Sequence, residues 1–157
     1  MAETLGSLID KLSIVKLKQW HSTDSFRLTS LSEQEKDLQA EINAYVVDAK
    51  SGDIPKNRMI FPSNKVYKKE GNEILPIEGN IGCIVSQLSQ VNCQIWHEQE
   101  KAYDFERIPA EEKDSVVRNL ARYNLERNFC IDEINKQFSM SLMEVDRHLV
   151  IEGEPCI

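Results

Sequence analysis

The two tryptophans of this chain, Trp20 and Trp96, are each followed by histidine, and the resulting pairs, Trp20-His21 and Trp96-His97, stand 76 residues apart. The same offset aligns Gly6 with Gly82, Leu12 with Leu88, Ser13 with Ser89 and Val15 with Val91, so six identities fall in a window of 17 residues. The apolar positions Leu5/Ile81, Leu8/Ile84 and Ile9/Val85 agree as well, and Asp24/Glu100 extends the match. A weaker echo repeats Glu41-Ile42-Asn43 at Glu133-Ile134-Asn135. A duplicated amphipathic hairpin restricts the fold strongly: one copy cannot bury its own apolar stripe, whereas two can bury each other's.

Helical periodicity supports this reading. Leu5, Leu8, Leu12 and Val15 recur at spacings of three and four, predicting a helix from about Leu5 to Ser22. A second runs from about Ser30 to Lys50, with Leu31, Leu38, Ile42 and Tyr45 on one side and a capping box formed by Ser30 and Glu33. Ile84, Leu88, Val91 and Ile95 define a third from about Asn80 to Asp104. The fourth starts at Pro109, with Glu111 and Glu112 in its electropositive first turn, and reaches about Phe138. Short connections make each pair an antiparallel hairpin. The expected fold is all-α: a single domain over 1–157, with hairpin one at about 5–50, hairpin two at about 80–139 and a tail at 140–157, packed as a four-helix bundle. A long crossover loop, about 51–79, holds a small β-turn or hairpin around Val66–Ile74. Its length leaves the relative direction of the hairpins open, and the tail reads as a short strand or a last helical turn.

A chain of 157 residues with 41% hydrophobic content suits one core. The net charge of −7 offers no basic stripe for nucleic acid or for an anionic membrane. The N-terminal stretch carries Glu3 and Asp10 and lacks the basic region and apolar block of a secretory signal, and no apolar run is long enough to span a bilayer. Cys83, Cys93, Cys130 and Cys156 show no C-x-x-C spacing, which points to reduced thiols rather than a zinc knuckle or disulfide scaffold. A cytoplasmic protein is expected.

On the fourth helix, Leu120, Ile131 and Phe138 mark the core face, and Asn124, Arg127 and Asn128 interrupt it. An unpartnered buried polar group costs about 1–3 kcal/mol, and a charge costs more, so these side chains must meet something. Asn92 and Gln99 at the edge of the third helix, and Lys16 and Glu41 on the first two, are positioned to face them. Arginine's planar fork suits a carboxylate or phosphate. One reading is therefore an inter-helical pocket formed by Asn92, Gln99, Asn124, Arg127 and Asn128 that binds a small anionic ligand, a sugar phosphate or a nucleotide. The competing structural reading is an internally bonded polar layer that selects helix partners.

The Trp-His pairs offer a different chemistry. His97, Glu100 and Asp104 share one helical face, and His21 with Asp24 repeats the His-x-x-acid spacing, so His21, His97, Glu100 and Asp104 form a candidate set for a divalent metal, with Glu111 or Glu112 nearby. The structural alternative has Trp20 and Trp96 plugging the core end while the histidines sit near helix C-termini. His148, in the tail, has no evident partner.

The N-x-x-x-W-H-x-x-E pattern at Asn92, Trp96, His97 and Glu100, followed by Ala102, and the N-x-x-R-N pattern at Asn124, Arg127 and Asn128, resemble the bacterial domain-of-unknown-function family 4254. The resemblance covers about Leu88 to Ile134 and departs from the family pattern at Ser89, Gln99, Tyr103 and Phe129. It implies an all-helical fold and no established reaction. Three functional classes follow from the sequence: a binding protein for a small anion, a metal-dependent enzyme built on the His/acid pairs, and a helical interaction or scaffold module that forms homo-oligomers or hetero-oligomers.

Overall fold

A computed structural model describes residues 3–62 and 74–151, with side chains through Met143. Among the described residues the regular structure is entirely helical: α1 Leu5–Trp20, α2 Ser25–Ser51, α3 Lys56–Met59, α4 Ile81–Tyr103 and α5 Ala110–Ile151, with a 3-10 turn at Phe105–Arg107 between the last two. None of these helices is long and apolar enough to cross a membrane. The turn expected around Val66–Ile74 lies almost wholly outside the described residues.

Two of the helix limits differ from those expected. α2 begins five residues early, because the Asp24 side chain accepts the Arg27 backbone N–H at 2.6 Å and takes the capping role assigned to Ser30. Thr29 and Ser32, within the resulting first turns, satisfy their hydroxyls on carbonyls four residues back. α5 absorbs much of the tail, since the chain from Ala110 meets no glycine or proline until Gly153. By contrast α4 has the limits its caps dictate: Asn80 accepts the Cys83 N–H at 3.0 Å, and Asp104 closes the helix. α1 is opened by a capping box between Thr4 and Ser7.

Both hairpins are antiparallel. Glu35 on α2 accepts from Lys16 and Gln19 near one end of α1, while Tyr45 and Ala49 pack on Leu5 and Leu8 at the other. In the second hairpin Glu126 accepts from Gln87, and Gln137 reaches back to the carbonyl of Gly79. The hairpins are joined with α1 and α4 parallel: Asp10 meets Asn92, and further along both helices His21 meets Trp96. α1 is the hub, packing on α2, α4 and α5. α2 leans on α1 and approaches α5 near one end, where the Tyr45 and Phe138 rings are 6.4 Å apart.

Two apolar clusters result. Leu5, Leu8, Tyr45, Ala49 and Met59 form the first, so the short α3 anchors the crossover through Met59; Ile84, Leu88, Cys130, Ile131 and Ile134 form the second, and Ile9 touches both. Full burial of side chains such as Ile84, Leu88 and Ile134 stabilises by about 1.5–3 kcal/mol each. Between the clusters α1 and α5 come unusually close at Gly6, where a β-carbon would stand 2.5 Å from the Ile131 carbonyl oxygen. Asn135, itself buried, accepts the Gly6 N–H at 2.8 Å and donates to the Thr4 hydroxyl at 3.0 Å, thereby fastening the first turn of α1 to α5.

Candidate functional site

One turn beyond Gly6, α1 presents Asp10 to the seam with α4 and α5. Its side chain is only 7% exposed. The Asn92 amide donates to Asp10 Oδ1 at 2.9 Å and to Ser13 Oγ at 2.7 Å, and Asn92 is itself buried. Arg127 arrives from α5, with Nε 3.5 Å from the same oxygen. That separation gives charge attraction without a hydrogen bond, and the buried Nε has no other hydrogen-bond partner among the described residues. Burial pushes the Asp10 carboxyl above its ordinary value, against the Asn92 hydrogen bond first and the charges of Arg127 and Lys11 next.

Beside this pair lies a cavity of about 360 Å³, lined by Thr4, Ser7, Asp10, Lys11, Arg127 and Asn128 among others. The same wall carries a second ion pair, Lys11 Nζ to Glu3 Oε1 at 2.7 Å, which holds the Glu3 carboxyl below its usual range. Ser7 also donates to Glu3, at 2.8 Å. The cavity thus carries two cations, two carboxylates, an amide and hydroxyls, set among the apolar side chains of Ile14, Phe61, Pro62 and Ile131.

Of the five residues expected to bind a ligand, Arg127 and Asn128 line this cavity and Asn92 braces its floor through Asp10. Asn124 is exposed and donates to the Leu120 carbonyl of its own helix at 2.8 Å. Gln99 is exposed near the far end of α4. Neither reaches the cavity: Asn124 sits about one turn before Arg127, rotated away from the face that meets α1, and Gln99 lies about two turns beyond Asn92. Lys16 is engaged with Glu35 and Glu41 is exposed, so neither is the counter-charge of Arg127. Sequence reasoning missed that role for Asp10. The signal was present: Asp10 lies within the window where Leu8, Ile9 and Leu12 are apolar, interrupting α1 as Arg127 interrupts α5.

The parallel α1 and α4 also bring the two Trp-His pairs together. His21 stacks on the Trp96 ring with centroids 4.7 Å apart and planes 19° from parallel, and it meets the His97 ring edge-on at 6.3 Å. Trp96 Nε1 donates to Glu100 at 2.9 Å, and His97 Nδ1 lies 3.3 Å from the other carboxylate oxygen. These contacts, the indole first, hold the Glu100 carboxyl below its usual range. Asp104 stands apart at the end of α4, 3.8 Å from Arg107. As placed, no three His, Cys, Asp or Glu side chains among the described residues converge on a point where a metal ion could bind.

The expectation that both tryptophans plug the core is corrected. Trp96 is half-buried beneath His21, whereas Trp20 is 86% exposed. Trp20 is the last residue of α1, while α4 continues seven residues past Trp96, so the repeat gives the two indoles different surroundings.

The chain was compared with protein-family models, with curated proteins and with solved structures, and no match was found in any of the three.

Proposed function

We propose that the protein binds a small anionic ligand, such as a sugar phosphate or a nucleotide, in the cavity beside Asp10 and Arg127. The observation that carries this reading is an arginine whose buried Nε makes no hydrogen bond, next to a cavity large enough for a small molecule. Asp10, 3.5 Å away, supplies the counter-charge without a hydrogen bond to that nitrogen. The guanidinium keeps donor capacity at Nε, and Lys11, which is paired with Glu3, lines the same space and adds positive charge to it. Asn92 and Arg127, two of the residues shared with the pattern of domain-of-unknown-function family 4254, are the ones that meet Asp10, which favours a common site. The free thiols of Cys83, Cys93 and Cys130 are in keeping with a reducing, cytoplasmic setting.

The test is calorimetric titration with ribose 5-phosphate, glucose 6-phosphate and AMP. Saturable binding is expected for at least one. Charge-assisted hydrogen bonds contribute about 1.5–3 kcal/mol, so Arg127→Ala should weaken binding by about tenfold to a hundredfold, with Arg127→Lys intermediate. Absence of binding by all three, to protein that is folded by circular dichroism, would overturn the reading.

A second reading, an interaction module, rests on Trp20 and Phe26, each 86% exposed on either side of the turn that joins α1 to α2. It expects a light-scattering mass above the monomer that falls when both are changed to serine. A monomeric mass for the unaltered protein at high concentration counts against self-association.

A further inference from the structure

The cavity holds a carboxylate as well as an arginine, and this combination bears on which anion can occupy it. We propose that Asp10 makes the site selective for a phosphorylated polyol over a bare phosphate: a ligand hydroxyl donates to the Asp10 carboxylate while the phosphate meets Arg127 and Lys11. This rests on the anion-binding reading above and narrows it to a substrate class.

The argument starts from the geometry. Asp10 and Arg127 are 3.5 Å apart on one wall, so an anion bound to the guanidinium alone would lie close to a second negative charge. Because the Asp10 side chain is only 7% exposed, water screens that repulsion less than it would at an open surface. A neighbouring hydroxyl removes the difficulty, because it places a donor rather than an anion against the carboxylate. Asp10 retains the capacity to accept it: an ionised carboxylate offers about four lone-pair positions, and the hydrogen bond from Asn92 uses one of them on Oδ1. Asn92 is fixed in turn by its bond to Ser13, so the carboxylate is held in place before any ligand arrives.

Size narrows the class further. A cavity of about 360 Å³ is at the small end of the range for ligand sites, which suits a single sugar ring or a shorter polyol carrying one phosphate and leaves little room for a base as well. The Glu3–Lys11 pair at the same wall adds both signs again, while Ile14, Phe61, Pro62 and Ile131 offer apolar surface to a sugar's carbon face.

The experiment is a calorimetric comparison of ribose 5-phosphate, inorganic phosphate and AMP on the full chain at fixed ionic strength. The unaltered protein should bind ribose 5-phosphate at least about tenfold more tightly than inorganic phosphate, in line with one hydrogen bond to a charged acceptor. Asp10→Asn should reduce that ratio to about threefold or less, largely by letting inorganic phosphate bind more tightly as the repulsion is relieved. Equal affinities of the unaltered protein for ribose 5-phosphate and phosphate, both lost in Arg127→Ala, would overturn the selectivity while leaving the anion site standing. Binding of none of the three would remove the site itself. AMP binding more tightly than ribose 5-phosphate would overturn the size argument. An undiminished preference in Asp10→Asn would transfer the selectivity away from Asp10. Should that variant fail to fold, the ratio measured on the unaltered protein still decides between polyol phosphate and bare phosphate.

Discussion

Replacing Gly6 with alanine tests how α1 is held against α5. The added β-carbon would stand 2.5 Å from the Ile131 carbonyl oxygen and 3.0 Å from Asn135 Oδ1, and the first of these partners is backbone in the middle of a long helix. The helices must separate by several tenths of an ångström, with an overpacking cost of about 1–3 kcal/mol. Separation also stretches the bond from the Gly6 N–H to Asn135, and a buried amide left unpaired costs about 1–3 kcal/mol. Alanine's better helix propensity returns about 1 kcal/mol. A net loss of about 1–5 kcal/mol follows, equivalent to about 0.5–2.5 M in the urea midpoint for a protein of this size. Its repeat partner Gly82 is the control, since a β-carbon there meets only Asn80 Oδ1, at 3.4 Å. Gly82→Ala should be neutral or stabilising by up to about 1 kcal/mol. Urea unfolding followed by circular dichroism measures both, and equal midpoints for the two variants would refute the close approach.

Three further outcomes are expected. The carboxyl of Asp10 is raised in the folded state, so the native protein holds that proton more tightly than the unfolded chain, and this residue's contribution becomes less favourable as pH climbs from the ordinary carboxylate range through the folded value. Glu3, Glu35 and Glu100 are lowered and slope the other way, so the diagnostic is the difference between Asp10→Asn and unaltered protein in urea titrations; it should move in favour of the variant as pH rises from the ordinary carboxylate range, and a flat difference would contradict the burial argument. Trp20→Phe should change stability by less than about 0.5 kcal/mol while removing the more red-shifted component of the fluorescence; a larger loss would mean that Trp20 is packed. Burial, with Glu126 and Asp10 nearby, pushes the Cys130 thiol up to about 12, so iodoacetamide at neutral pH should label the exposed Cys83 and spare Cys130 until denaturant is added, as mass spectrometry of the digested protein would report.

The helices were legible where periodicity and caps agreed. Ile84, Leu88 and Val91, framed by Asn80 and Asp104, define α4 closely. α2 was harder to delimit because the hydroxyl-rich run from Ser25 to Ser32 resembles a turn until Asp24 is recognised as its cap. The relative direction of the hairpins was hidden behind the long crossover, and it is decided by long-range contacts that local pattern does not encode, such as Asp10 with Asn92. The site was half legible for the same reason. An arginine on a core-facing stripe announces the need for a counter-charge, but its supplier, Asp10, lies on a different helix, and only its own apolar neighbours mark it. Asn124 and Gln99 illustrate the opposite error: a residue at the margin of a helical stripe faces solvent as readily as the core, and only the neighbouring helix decides which.

The fastening of α1 has a consequence for the order in which the chain becomes ordered. The first turn of α1 depends on Asn135, 129 residues downstream of Gly6, and Asp10 depends on Asn92, 82 residues downstream. As the polypeptide leaves the ribosome, its first hairpin is therefore complete in sequence but not in partners, and α1 keeps an open stripe with an uncompensated carboxylate until α5 has emerged. The earlier copy has the apolar cluster of Leu5, Leu8, Tyr45, Ala49 and Met59 within its own reach, but it takes these polar anchors from the later one.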